Sequence, residues 1–123
     1  MLFRSYQPAP VGDFIQTEYP LRGIVVNGIP LKGFTDKIQF WGNDIIITDF
    51  KTGKHSKART RGEFDRPGGK KQPAGGNYWR QAVFYKLLVD HLPNKNWNVR
   101  EACFDFVEPN DQGEFDQIGR AHV

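Results

Sequence analysis

A single cysteine, Cys103, stands among the 123 residues. No internal disulfide and no cysteine metal cluster can therefore be built, and a reducing cytoplasm is the expected setting. Between Ala102 and Phe104, this cysteine reads as a small buried hydrophobe. Long hydrophobic runs are also missing. Nothing approaches the roughly 18 apolar residues of a membrane span, so no membrane partner is expected. The opening Met-Leu-Phe-Arg-Ser-Tyr is not the basic-then-apolar start of a secretory leader. Histidine is scarce, with three in the chain. His55 reads as an exposed loop residue, His91 falls on the outer turn of a helix, and His122 lies near the end. None has a ligand partner at metal spacing. Gly68-Gly69 and Gly75-Gly76 lack the strand–loop–helix context and the G-K-[ST] of a phosphate loop.

What is present is a core and an uneven charge. With 38% hydrophobic residues and ten phenylalanines, the chain can bury a core as one domain over residues 1–123. The net charge of +3 is mild, but its distribution is not. From Lys51 to Lys71, eight Lys or Arg stand against Glu63 and Asp65, a surplus about twice that of the whole chain. Such a segment is either a solvated loop or a contact for a polyanion.

Residues 1–12, with Pro8, Pro10 and Gly12, read as an irregular lead-in. Phe14 to Val26 is rich in strand formers and ends at Asn27-Gly28, the strongest short hairpin signal. Ile29 to Phe40 is the return strand. A turn at Trp41-Gly42-Asn43-Asp44 leads into the apolar, central strand Ile45 to Lys51. Thr52 to Gly76 is basic, rich in Gly and Pro and without periodicity, which predicts a loop. Asn77 reads as the N-cap of a helix from Tyr78 to about Leu92, stopped by Pro93. Its apolar positions Tyr78, Ala82, Tyr85, Leu88 and Leu92 recur at helical spacing. Val99 to Glu108 forms a last strand. The order β-β-β-α-β predicts an α/β chain: a mixed sheet with a helix packed on it.

Register gives the chemical signal. A Gly42-Asn43 turn sets Phe40 across from Ile45, Ile38 across from Ile47, and Asp36 across from Asp49. Opposed side chains share a face about 4.5–5.5 Å apart, and Lys51 emerges on that face one step further on. Two opposed carboxylates are destabilising unless a cation lies between them, and hard oxygen ligands suit Mg²⁺ or Mn²⁺. Lys51 is then placed to orient a water or to stabilise charge on a phosphate. A plain Asp49–Lys51 salt bridge with Asp36 solvated is the other reading. Gln81 and Tyr85, four apart on one helix face, either support such a site or merely pack. Trp79 and Trp97 either stack on bases or join the core. Lys54 and Arg80 are the basic residues expected nearest a backbone phosphate.

These residues carry a pattern. Gly33-Phe34-Thr35-Asp36-Lys37-Ile38, then Asp49-Phe50-Lys51-Thr52-Gly53-Lys54, then Gln81-Ala82-Val83-Phe84-Tyr85 resembles the PD-(D/E)XK nuclease superfamily. In particular it is similar to the RecB/AddAB-like nuclease domain of UvrD-type helicase–nucleases. The resemblance spans about Leu31 to Leu92. It implies a restriction-endonuclease-like fold and hydrolysis of DNA phosphodiesters with Mg²⁺ or Mn²⁺. It also implies service to a helicase in end processing or recombinational repair. On this likeness the metal is held by Asp36, Asp49 and the main-chain carbonyl of Phe50. Lys51 is the catalytic lysine, and Gln81 and Tyr85 support the site. Lys54, Lys57, Arg59, Arg61 and Arg80 would meet the DNA. Many members add a ligand from a helix upstream of the first strand, whereas only a dozen irregular residues precede the strands here. The chain therefore reads as a piece of a longer protein, either an active nuclease or a DNA-binding module of the same fold. The Asn27-Gly28 hairpin sets Tyr19 across from Asp36 and turns Glu18 to the other face, unless a bulge intervenes.

Overall fold

The computed structural model describes residues 3–4, 14–108 and 118–122. Its strands are β1 (Phe3–Arg4), β2 (Phe14–Val26), β3 (Ile29–Trp41), β4 (Asp44–Lys51), β5 (Asn98–Phe106) and β6 (Ile118–His122), with helices α1 (His55–Thr60) and α2 (Asn77–Asp90). They form one six-stranded sheet in the order β1-β6-β5-β4-β3-β2. Only the β4–β5 pair is parallel, and the chain between those two strands carries both helices. The mixed sheet with a packed helix is thus the observed architecture. The lead-in expected over residues 1–12 falls mostly outside the described residues, but Phe3–Arg4 pairs with β6 as a strand.

Local chemistry sets the hairpins. Asn27 and Gly28 take φ of 51° and 78°, the left-handed pair that a two-residue turn between twisted strands requires. Gly42 at φ 60° opens the second turn, where Trp41 pairs with Asp44. Ile45, Ile46 and Ile47 are buried along the centre of the sheet, as their continuous apolar run predicts. Ala82, Tyr85, Leu88 and Val89 form the buried stripe of α2. Leu88 presses so closely on β3 that a Cβ at Gly33 would overlap its Cδ1. Each such fully buried aliphatic side chain contributes about 1.5–3 kcal/mol by leaving water.

Three expectations need correction. Thr52 to Gly76 is not wholly loop: residues 55–60 form α1, anchored by buried His55 and Ala58. His55 is accordingly not an exposed loop residue. It is 8% exposed, with its ring 5.4 Å from Phe64 and 5.3 Å from Phe106. Asn77 does not cap α2, because the cap position is Gly76, without a side-chain bond. The carbonyl of Glu63 takes the amides of Tyr78 and Trp79 instead, so the basic segment itself closes the helix end. A Cβ at Gly76 would collide with the carbonyls of Gly62 and Glu63, which explains the glycine there. Cys103 is buried, as expected.

Candidate active site

The β3–β4 ladder follows the expected register from Trp41–Asp44 through Ile38–Ile47 to Lys37–Thr48, and there the pairing ends. One step beyond lie Asp36 and Asp49. Asp36 does not simply face Asp49: its Oδ2 accepts the Phe50 amide at 2.8 Å. This opening of the ladder leaves the two carboxyl groups within hydrogen-bonding reach of each other, a pair of like charges that a cation between them would relieve. It also gives a backbone donor a charged acceptor.

Asp49 lies on the floor of this opening, 7% exposed. Its Oδ2 accepts the Tyr85 hydroxyl at 2.8 Å and the amide nitrogen of Gln81. The Lys51 ammonium stands 3.4 Å from the same oxygen and donates to Gln81 Oε1 at 2.8 Å. The Gln81 amide therefore bridges the lysine and the carboxylate. Only this orientation matches charges, since a flipped amide would point its NH₂ at the ammonium and its carbonyl at the carboxylate. Helical spacing brings Gln81 and Tyr85 to this face together, as expected.

Electrostatics follow the geometry. Burial raises the Asp49 carboxyl above its ordinary value, while the Tyr85 hydrogen bond and Lys51 oppose that rise and the Asp36 charge adds to it. Burial and the Asp49 charge push the Tyr85 phenol far above its usual range, so it stays a neutral donor. The Phe50 amide reaches Asp36 Oδ2, and the Gln81 amide and Tyr85 hydroxyl reach Asp49 Oδ2. The two carboxyl groups also lie within hydrogen-bonding reach of each other, a pair that a shared cation would satisfy. Two carboxylates fit Mg²⁺ or Mn²⁺, which keep waters and phosphate oxygens as their remaining ligands. No group of three His, Cys, Asp or Glu able to hold a metal occurs among the described residues.

Sequence reasoning missed the shelf under the lysine. Lys51 Nζ lies 5.0 Å from the Tyr78 ring centre and 5.8 Å from that of Phe104. These two rings are stacked 5.2 Å apart, and their faces attract the cation. Tyr78 precedes Gln81 by three residues, so helical spacing alone could have placed it on the site face. The pairing of β2 also differs from expectation. A register shift between Leu21 and Ile24 sets Tyr19 opposite Thr35 and Thr17 opposite Lys37. The position of Glu18, not that of Tyr19, is therefore level with Asp36. Glu18 takes φ 52°, and the inward alternation changes phase across it. The Phe14 ring lies tilted against buried Phe40, whereas Tyr19 and Leu21 turn to the core.

The basic residues fall into distinct local settings. Lys54, Lys57 and Arg61 line a cavity of about 250 Å³ beside Tyr78. Arg59 lies outside that lining, and Arg80 is tied to Asn77 Oδ1 at 2.6 Å. Trp97 packs against Tyr19 and Phe40 in the core rather than standing out as a platform. A larger cavity, about 940 Å³, runs along the β2–β3 hairpin past Arg22, Lys32 and Phe34. It holds no acid or histidine and is not the chemical centre.

A helix laid on a mixed sheet whose central strands part around two carboxylates and a lysine is the restriction-endonuclease-like fold. The family model of the PD-(D/E)XK nuclease superfamily matches residues 2–121, and the chain belongs to that superfamily. The family points to metal-dependent phosphodiester hydrolysis, typically with divalent ions such as Mg²⁺. No match is found among curated proteins or among solved structures. No helix among the described residues is long and apolar enough to cross a membrane.

Proposed function

We propose that this chain hydrolyses DNA phosphodiesters with Mg²⁺ or Mn²⁺, as the nuclease part of a RecB-like helicase–nuclease acting in end processing or recombinational repair. The observation that carries the reading is the bridge Lys51–Gln81–Asp49 at the mouth of the opened strands. A structural salt bridge would not need an amide that holds the lysine on one side and the carboxylate on the other. Asp36, Asp49 and the Phe50 carbonyl would hold the ion, which supplies charge to polarise the phosphate and acidify its water. Lys51 orients the attacking water and stabilises charge on the phosphate. The water oxygen bonds to phosphorus, one ester P–O bond breaks, and its oxygen leaves with a proton. Gln81 fixes the lysine, and Tyr85 holds Asp49 in place. The helicase link is supported by the D-F-K-T-G-K and Q-x-x-x-Y spacing. A DNA-binding module of the same fold is the second reading, favoured by the lack of a three-ligand cluster among the described residues.

End-labelled single- and double-stranded DNA incubated with the chain and Mn²⁺ separates the two. Cleavage that EDTA abolishes is the expected result. Bound but uncut DNA at every Mn²⁺ concentration would favour the module.

A further inference from the structure

We propose that the cavity between the turn after β4, α1 and the start of α2 seats the phosphate next to the scissile one on the substrate strand. The proposal rests on the nuclease reading. The cavity of about 250 Å³ is lined by Lys54, Lys57, Arg61, Asn77 and Tyr78, with Glu63 as its one acid. Lys57 and Arg61 are four residues apart, the interval of one helical stripe, and Lys54 precedes them in extended conformation at the helix start. His55 and Ala58 bury the neighbouring stripe in the core. Burial of that side fixes how α1 is rolled, and so fixes the stripe of cations toward the cavity.

Even with Lys54 set aside, Lys57 and Arg61 outweigh Glu63, and a net positive lining selects an anion. The amides of Tyr78 and Trp79 are not the receptor, because they already donate to the Glu63 carbonyl. Recognition therefore falls chiefly to the side chains of Lys57 and Arg61. The volume lies below the roughly 300–1,000 Å³ of sites that take a drug-sized molecule, and suits a phosphate with its sugar rather than a stacked base. Tyr78 gives the location. It lines this cavity, and its ring also lies 5.0 Å from Lys51 Nζ, so one ring separates the cavity from the site. That is about one nucleotide step along a strand whose scissile phosphate meets Lys51.

The test uses the full chain with EDTA present, so binding is read without cleavage. The probes are short DNA strands carrying one uncharged methylphosphonate linkage, moved stepwise along the strand. Wild type should bind about tenfold more weakly at one linkage, as expected when one phosphate no longer meets its cations. In Lys57→Ala and Arg61→Gln that linkage should have no further effect. The slope of log affinity against log salt should fall by about 0.7 for each phosphate of a single strand that the variant leaves unneutralised. Arg66→Ala removes the same charge away from the cavity and should change neither. Unchanged slopes in the cavity variants, or a linkage effect that persists in them, would overturn the proposal. So would a weakening that follows removal of a terminal phosphate instead of an internal linkage. A chain that binds in this way yet never cleaves under Mn²⁺ would sink the nuclease reading and leave the pocket standing.

Discussion

The two ends of the β3–β4 hairpin use the same pairing rule and reach opposite results. Near the turn, Phe40 pairs with Ile45 and Ile38 with Ile47, with every one of these side chains buried. Beyond Lys37–Thr48 the ladder ends, and Asp36 takes the Phe50 amide with its side chain. Apolar pairs gain by closing, because contact removes them from water. Paired carboxylates gain nothing from such closing, and here the Phe50 amide turns to the Asp36 charge while the Tyr85 and Gln81 side chains turn to Asp49. One pair of strands thus serves as core at one end and as a cation-ready cleft at the other.

Variants can break each end separately. The largest effect is expected from Asp36→Asn, where the amide oxygen can still accept from Phe50. Cleavage should fall by about 10³-fold while thermal unfolding stays near wild type, and retained cleavage would remove Asp36 from the site. At the closed end, Ile47→Ala should cost about 2–5 kcal/mol in denaturant unfolding. A change of under about 1 kcal/mol would show this end to be less tightly packed than described. Tyr85→Phe leaves Asp49 without a 2.8 Å donor. It should cost about 1–2 kcal/mol and slow cleavage far less than Asp36→Asn.

The smallest effect has a diagnostic sign. Burial raises the Asp49 carboxyl, so the folded chain binds that proton more readily than the unfolded chain. Stability is then lost as pH rises from the unfolded value of about 4 through the raised folded one, and the deficit persists above it. Without metal, Asp49→Asn should melt at or above wild type at neutral pH, with the difference vanishing in acid. With Mn²⁺ present, only wild type should gain. A variant that melts lower at pH 7 without metal would show that the Asp49 charge stabilises the fold.

What the sequence revealed was local. The turns at Asn27-Gly28 and Gly42-Asn43 fix their registers through backbone conformation, and Gln81 and Tyr85 share a face by helical spacing. These rules needed no knowledge of the rest of the chain. The errors arose where distant groups decide. The register shift between Leu21 and Ile24 moved Glu18 level with Asp36, and no turn signal announces a bulge. Helix α1 carries no apolar periodicity because only His55 and Ala58 are buried in its six residues. Asn77 looked like a cap, but a carbonyl fourteen residues earlier does the capping. The pairing of β1 with β6 and the Tyr78–Phe104 shelf join residues far apart in the chain.

The central claim is that Lys51 is held for chemistry rather than for stability. Single-turnover cleavage of DNA by Lys51→Ala, with Mn²⁺ and beside thermal unfolding and DNA binding, tests it most directly. The account predicts a rate about 10³-fold or more below wild type, with folding and DNA binding retained. A variant that cuts at the wild-type rate, or that loses activity only because it unfolds, would contradict it.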